Sequence, residues 1–216
     1  MKRAIIIAAM LAAAGLAGAQ MFAQLFGTTS RLPAGYLECN WIESSGTQYI
    51  NTGVYPTLKD TDFDVTVSSM AYNNRLFGIS QNIGGTIYRY RGYCGSAGGI
   101  INMFVGTAST TSPAITNSAI RFRTTGGVFR INDNVADSWT GTNAVLTVPF
   151  LLCAEHDGFA RTANVRLFSA KLSHAGSPIR DFVPCLNASN VPGVYDLVGA
   201  TFYPNAGTGS FDYELK

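Results

Sequence analysis

The chain predicts an all-β fold of two packed antiparallel sheets, on three observations. Only 13% of its 216 residues are charged, against 23 glycines, 10 tyrosines and 13 phenylalanines, a composition suited to short strands joined by tight turns. Apolar residues alternate with polar ones in segment after segment, the period of a half-buried strand. After residue 27 no segment sustains a 3.6-residue apolar period over several turns. An apolar share of 47% is enough to fill a core, and many short strands with Gly, Asn, Asp and Ser turns form a sandwich or a barrel.

Taken in order, the amino terminus is a targeting segment. Met1-Lys2-Arg3 is basic, Ala4 to Gly18 is uncharged and apolar, and Ala17-Gly18-Ala19 is a small-residue cleavage pattern with the cut before Gln20. The apolar run is about 15 residues, short of the roughly 20 that a membrane span needs. Residues 1–19 are thus expected to be a helical signal peptide. The protein is then exported to the periplasm, the cell surface or the medium, and meets a membrane only through that segment before cleavage. Residues 20–31 read as a linker and residues 32–216 as one domain, since no repeat or change of composition divides them. The formal charge of +2 is carried by Lys2 and Arg3, and the remainder is balanced, which excludes nucleic-acid binding by bulk charge.

In the body of the chain, Phe63, Val65 and Val67 alternate with Asp62, Asp64, Thr66 and Ser68, a strand with one wet face. Further strands are predicted at 75–79, 86–91, 100–105, 119–123 and 128–131, the last two joined by a turn at Thr124-Thr125-Gly126-Gly127. Others follow near 144–153, 162–173, 179–186, 195–198, 201–203 and 211–213. Ser44-Ser45-Gly46-Thr47-Gln48 and Asn205-Ala206-Gly207-Thr208-Gly209 are turns built from hydroxyl residues and glycine. Arg180 and Asp181 are expected to form a local ion pair.

Two stretches carry a family resemblance. The first is Leu32-Pro33-Ala34-Gly35-Tyr36 followed by Trp41-Ile42-Glu43-Ser44-Ser45-Gly46-Thr47-Gln48-Tyr49-Ile50-Asn51-Thr52-Gly53-Val54. The second is Ile179-Arg180-Asp181-Phe182-Val183-Pro184-Cys185, then Pro192-Gly193-Val194-Tyr195-Asp196-Leu197-Val198 and Phe202-Tyr203-Pro204-Asn205-Ala206-Gly207-Thr208-Gly209. In this order they resemble the two ends of concanavalin A-like (laminin G-like) jelly-roll domains, which are common in surface and secreted proteins of gut bacteria and in phage structural proteins. The resemblance implies a two-sheet jelly roll whose first and last strands lie close together, and carbohydrate binding or adhesion as the role. Function belongs to a site rather than to a fold.

Four cysteines, Cys39, Cys94, Cys153 and Cys185, permit two disulfides in an exported chain, with three connectivities. The absence of any C-x-x-C leaves no support for a zinc site. The resemblance would bring Cys39 and Cys185 within range of each other, which makes them the first pair to examine. Cys153 ends an apolar run and reads as a buried thiol, and Cys94 falls in a glycine-rich stretch read as a loop.

For chemistry, jelly-roll glycosidases place two glutamates and an aspartate on one strand in an E-x-D-x-x-E or E-x-D-x-E pattern, with carboxylates about 5 Å apart. The four glutamates here, Glu38, Glu43, Glu155 and Glu214, do not form it. Glu155-His156-Asp157 before Gly158 reads as a polar turn, Ser173-His174 as a loop, and no G-x-S-x-G elbow is present. The protein is therefore expected not to be an enzyme. Asp60-Thr61-Asp62-Phe63-Asp64 begins like a calcium loop but has Val65 and Ala71 where an EF-hand needs Gly and Glu. No cofactor is expected, with a structural calcium lacking support.

The binding hypothesis rests on arginines. Arg89 and Arg91 share one side of a strand opposite Tyr88 and Tyr90, Arg121 and Arg123 flank Phe122, and Arg130 lies between Phe129 and Ile131. If these strands are neighbours, the five line one sheet face, suited to a carboxylate or sulfate bound in bidentate fashion. Otherwise they are a wet face neutralised by Asp62, Asp64 and similar acids. Tyr93 and Trp139, in Gly-rich or turn-rich segments, are candidates for stacking on a sugar, or else loop anchors. The chain thus reads as an exported, non-catalytic, carbohydrate-binding or adhesive protein whose partner is a glycan or a surface protein. The alternative is a structural or assembly protein using the sandwich for protein contacts.

Overall fold

The computed structural model describes residues 30–69, 74–95, 101–112, 119–141 and 143–216, with backbone alone at 69, 101 and 110–112. The expected signal helix, and all of the expected linker but its last two residues, lie outside them. Residues 34–216 make one compact unit, and among the described residues there are strands and turns but no helix.

Among the described residues eighteen strands, numbered in chain order, form two sheets. The larger runs β10 (Asn134–Ser138), β9 (Val128–Ile131), β8 (Ile120–Thr125), β3 (Thr61–Ser69), β14 (Asn164–His174), β1 (Leu37–Ser45), β15 (Ser177–Leu186), β16 (Pro192–Asp196) and β17 (Thr201–Pro204). A further strand, β18 (Asp212–Leu215), pairs with β1. The smaller sheet runs β13 (Ala160–Thr162), β12 (Ala154–His156), β4 (Asn74–Ile83), β5 (Thr86–Cys94), β6 (Ile101–Gly106) and β7 (Ala108–Ser112), with β11 (Leu151–Leu152) between β4 and β2 (Ile50–Asn51). All pairings are antiparallel except β12 with β4, which is parallel.

The alternation in the sequence explains this arrangement. Phe63, Val65 and Val67 of β3 turn one way and are buried, while Asp62, Asp64 and Thr66 turn the other. The two inner faces meet on a cluster of aromatic rings. Phe63 contacts Phe77 and Tyr90 at centroid separations of 5.2 and 4.7 Å, and Phe77 contacts Phe122 at 5.2 Å, all near edge-to-face. The buried Tyr90 hydroxyl on β5 crosses the sandwich, donating to the Thr61 carbonyl and meeting Thr124 Oγ1 at 2.9 Å. Thr124 Oγ1 also accepts the Phe63 amide at 2.9 Å, so this polar core group is satisfied from both sheets.

The two ends of the domain interlock. Gln48 is buried and its Oε1 accepts the Ser45 amide at 2.9 Å, while Ser44 Oγ donates to the Gln48 carbonyl at 2.9 Å. Asn205 Oδ1 accepts the Gly207 amide at 2.8 Å and the Tyr49 amide at 3.1 Å, and Thr47 and Thr208 exchange bonds of 3.1 Å. Gly207 has no room for a side chain, because a Cβ there would lie 2.0 Å from the Thr47 carbonyl oxygen.

Several expectations change. The stretch 144–153 supplies only β11, because Pro149 and, on the facing segment, Pro56 lack the amides a ladder needs. Isolated bonds remain, such as Leu146 N to Pro56 O at 2.8 Å and Phe150 N to Val54 O at 2.8 Å. Arg180 and Asp181 do not pair with each other, since neighbours on β15 face opposite sides. Arg180 approaches Asp196 at 3.6 Å and Asp181 binds Lys171 at 2.8 Å. Cys94 lies on β5, not in a loop, and Ser173-His174 ends β14. All four cysteines are buried, free thiols. The β1–β15 register sets Cys185 opposite Glu38, one residue out of step with Cys39, and the pair singled out for examination is not bridged.

Candidate functional site

The smaller sheet carries an ionic row across its outer face. The register sets Arg161 of β13 opposite Glu155 of β12, Glu155 opposite Gly78 of β4, Gly78 opposite Arg91 of β5, and Arg91 opposite Phe104 of β6. Residues in register share a face, so these side chains stand in line. Gly78 is the gap that completes the line. Its φ is +118°, and a Cβ would fall 2.1 Å from the Tyr90 carbonyl oxygen and 2.6 Å from Arg91 Cα. With no side chain there, Arg91 Nη1 reaches over β4 to both Glu155 oxygens, at 2.5 and 2.7 Å.

Glu155 is fully buried, at 0% exposure, and is held from two sides, since Arg75 Nη1 lies 3.0 Å from its Oε2. Arg91, 11% exposed, is packed over the Phe104 ring at 4.6 Å and the Tyr93 ring at 5.5 Å. Burial pushes the Arg91 guanidinium below its ordinary value, and Glu155 works in the opposite direction by attraction and hydrogen bonding. A second carboxylate, Asp157, lies at the start of the tight β12–β13 turn through Gly158 (φ +72°). Its Oδ2 is 3.0 Å from Arg75 Nη1 and 3.1 Å from Arg161 Nε. Above this lattice opens a cleft of about 430 Å³ lined by Arg75, Arg91, Tyr93, Arg161 and Thr162. Arg75 and Arg161 are its solvent-reachable cations, 27% and 42% exposed.

The five arginines singled out from the sequence do not share a face. Arg89 and Arg91 belong to the smaller sheet, Arg121, Arg123 and Arg130 to the outer side of the larger one, because β8 joins β3 rather than β5. Two of that second set are tied to acids: Arg121 binds Asp64 at 2.5 Å and Asp133 at 3.3 Å, and Arg123 binds Asp133 at 2.9 Å. Arg130 stands opposite Arg123. Tyr93 is on β5, not in a loop, and lines the cleft. Trp139 anchors its loop against the core over Gly106 and Gly141, where added Cβ atoms would meet its ring at 2.5 and 2.2 Å.

Of the residues expected in a polar turn, Asp157 does lie in one but Glu155 is a buried strand residue, and Arg75, Arg161 and Thr162 were not singled out from the sequence. The i, i+2 spacing of Glu155 and Asp157 was the available signal, since it puts two acids on one side of a strand. Of the calcium-like acids, Asp60 accepts from Asn143 at 2.8 Å, Asp62 from the Gly126 amide at 3.1 Å, and Asp64 holds Arg121. They do not converge, and among the described residues no three acidic, His or Cys side chains are grouped to hold a metal ion.

Compared with known proteins, the chain matches no family model, no curated protein and no solved structure.

Proposed function

We propose that this protein is an exported, non-catalytic, glycan-binding member of the concanavalin A-like jelly rolls, and that it takes an acidic glycan in the cleft of the smaller sheet. The observation that carries the reading is the cleft itself: three arginines and a tyrosine line it, at a place where two carboxylates leave one positive charge unbalanced. Guanidinium groups fixed by ion pairs and aromatic packing are preorganised for a carboxylate or sulfate, and Tyr93 offers a ring edge or face to a sugar. The interlocked end turns and the layered sheets are what a jelly roll of this kind would have.

Hydrolysis is the less suitable use of the same site. Glu155 Oε2 and Asp157 Oδ2 both lie 3.0 Å from Arg75 Nη1, which brings two carboxylates together as a glycosidase requires. Glu155, however, has no exposed surface, and a glycosidic oxygen cannot reach it.

A glycan array probed at two salt concentrations tests the reading. Salt-sensitive binding to sialylated, uronic or sulfated glycans, lost in Arg75→Ala with Arg161→Ala, supports it. Binding to neutral sugars alone, or binding that survives that double substitution, refutes the cleft as the anion site. Silence across a broad array favours the structural alternative.

A further inference from the structure

The two carboxylates of the cleft hold different positions, and this bears on how an anion would enter. Glu155 is sealed beneath the arginines and orients Arg91 and Arg75 from below. Asp157 sits at the rim, 38% exposed, on a three-residue turn outside the strands. A single oxygen of Asp157 touches both solvent-reachable arginines, at 3.0 Å from Arg75 and 3.1 Å from Arg161. That is the place between two guanidiniums that a bridging carboxylate or sulfate oxygen would take.

We propose that Asp157 is a built-in competitor, an internal carboxylate that occupies the anion position between Arg75 and Arg161 and is displaced when ligand binds. It thereby sets the affinity and selectivity of the cleft. This rests on the reading of the cleft as an anion site. A ligand with one weakly placed negative charge gains little, because it exchanges one carboxylate for another. A ligand that spans both arginines with two oxygens and also contacts Tyr93 displaces Asp157 with a net gain in contacts. Exposed ion pairs are weak enough to be exchanged in this way, whereas the Glu155 pair beneath is not. The turn permits the exchange. Asp157 N is bonded to the Phe159 carbonyl at 3.0 Å, so the backbone stays in place while the side chain rotates away.

The test uses the full chain with inorganic sulfate as probe, its Kd read by isothermal titration calorimetry at constant ionic strength, because sulfate raises melting temperatures even without a site. Asp157→Asn keeps the shape of the side chain and removes its charge. Asp137→Asn makes the same change in net charge on β10 of the other sheet, at a carboxylate that accepts the Ser138 amide. Asp157→Asn should bind sulfate about fivefold more tightly than the wild type, the factor one exposed ion pair is worth, with Asp137→Asn unchanged. Asp157→Ser repeats the experiment where the turn prefers a smaller residue, and should give the same gain. If the wild type binds sulfate and neither Asp157 variant binds more tightly, or if Asp137→Asn gains equally, Asp157 is no competitor, while the anion site stands. If sulfate affects none of the proteins, the competitor and the anion site fall together. Sulfate binding by the Asp157 variants alone would support the competitor and refute the wild-type cleft as an open anion site.

Discussion

Replacing Glu155 by leucine removes a fully buried carboxylate that two arginines share, and its cost follows from what is left behind. Arg91 Nη1 contacts both carboxylate oxygens of this one residue, at 2.5 and 2.7 Å. Breaking one partner of a buried pair typically costs about 3–5 kcal/mol, most of it from the stranded charge. Here the lower end applies, about 3 kcal/mol, because Arg75 keeps Asp157 and Arg91 keeps the Phe104 ring at 4.6 Å. Arg91→Met alone should cost less, about 2 kcal/mol, since Glu155 retains Arg75 at 3.0 Å. The double substitution should cost no more than about 2 kcal/mol, because an apolar pair of similar volume replaces the charges and nothing is stranded. The cycle would thus show a coupling of about 3 kcal/mol between residues lying 64 positions apart in sequence. Urea unfolding at pH 7 with a common m-value measures all four proteins. A Glu155→Leu cost below about 1 kcal/mol, or a double-mutant cost equal to the sum of the singles, would refute the picture of a buried pair reaching across Gly78.

Three further outcomes are expected. Gly78→Ala should destabilise by about 3 kcal/mol or more, since φ is +118° and the new methyl would meet the β5 backbone, and thermal unfolding reports it. Tyr90→Phe should cost about 1–3 kcal/mol in urea, because it leaves the Thr61 carbonyl without the buried donor that joins the two sheets. The buried thiols should make stability fall at alkaline pH. Burial pushes Cys153 from 9.0 up to about 12 and Cys185 likewise to about 12, so the unfolded chain loses these protons first. Their full contribution is therefore present below pH 9 and is lost between pH 9 and 12, by up to about 1.4 kcal/mol per pH unit per thiol. Cys153→Ala should flatten that slope in urea titrations at pH 9–11, and an unchanged slope would exclude Cys153 as its source.

The layers were legible because a strand declares its buried face locally. Phe63, Val65 and Val67 announce an inward face without reference to any other part of the chain, and so do Phe122 flanked by arginines and the pair Gly126-Gly127 (φ +55° and +77°) that turns β8 into β9. Strand order is not declared in this way. Arg91 and Arg121 have the same local pattern, and only the pairing of β8 with β3, across the 50 residues between Ser69 and Ile120 that include the whole β4–β7 meander, puts them on opposite sheets. The prolines at 56 and 149 were visible, and their consequence could have been read: a run ending in Val148-Pro149 cannot keep a continuous ladder.

The site was hidden for a related reason, and its hidden parts explain its visible ones. An arginine on the wet side of a strand looks the same whether it faces water or a carboxylate two strands away. What distinguishes Arg91 is Glu155, which arrives through a parallel pairing of β12 with β4 that no local signal predicts. What makes the contact feasible is an absence, the missing Cβ of Gly78, whose positive φ is apparent only once the strands are paired. Arg161, Glu155, Gly78, Arg91 and Phe104 come from five strands and form a single row, so their chemistry belongs to the sheet rather than to any stretch of sequence. The row reaches solvent at its β13 end, where Asp157, in the turn outside the ladder, meets Arg161. In the proposed anion site, selectivity is then most readily adjusted at that end, because a substitution in the turn would change the charge presented to a ligand without disturbing the buried pair that holds the other arginines in place.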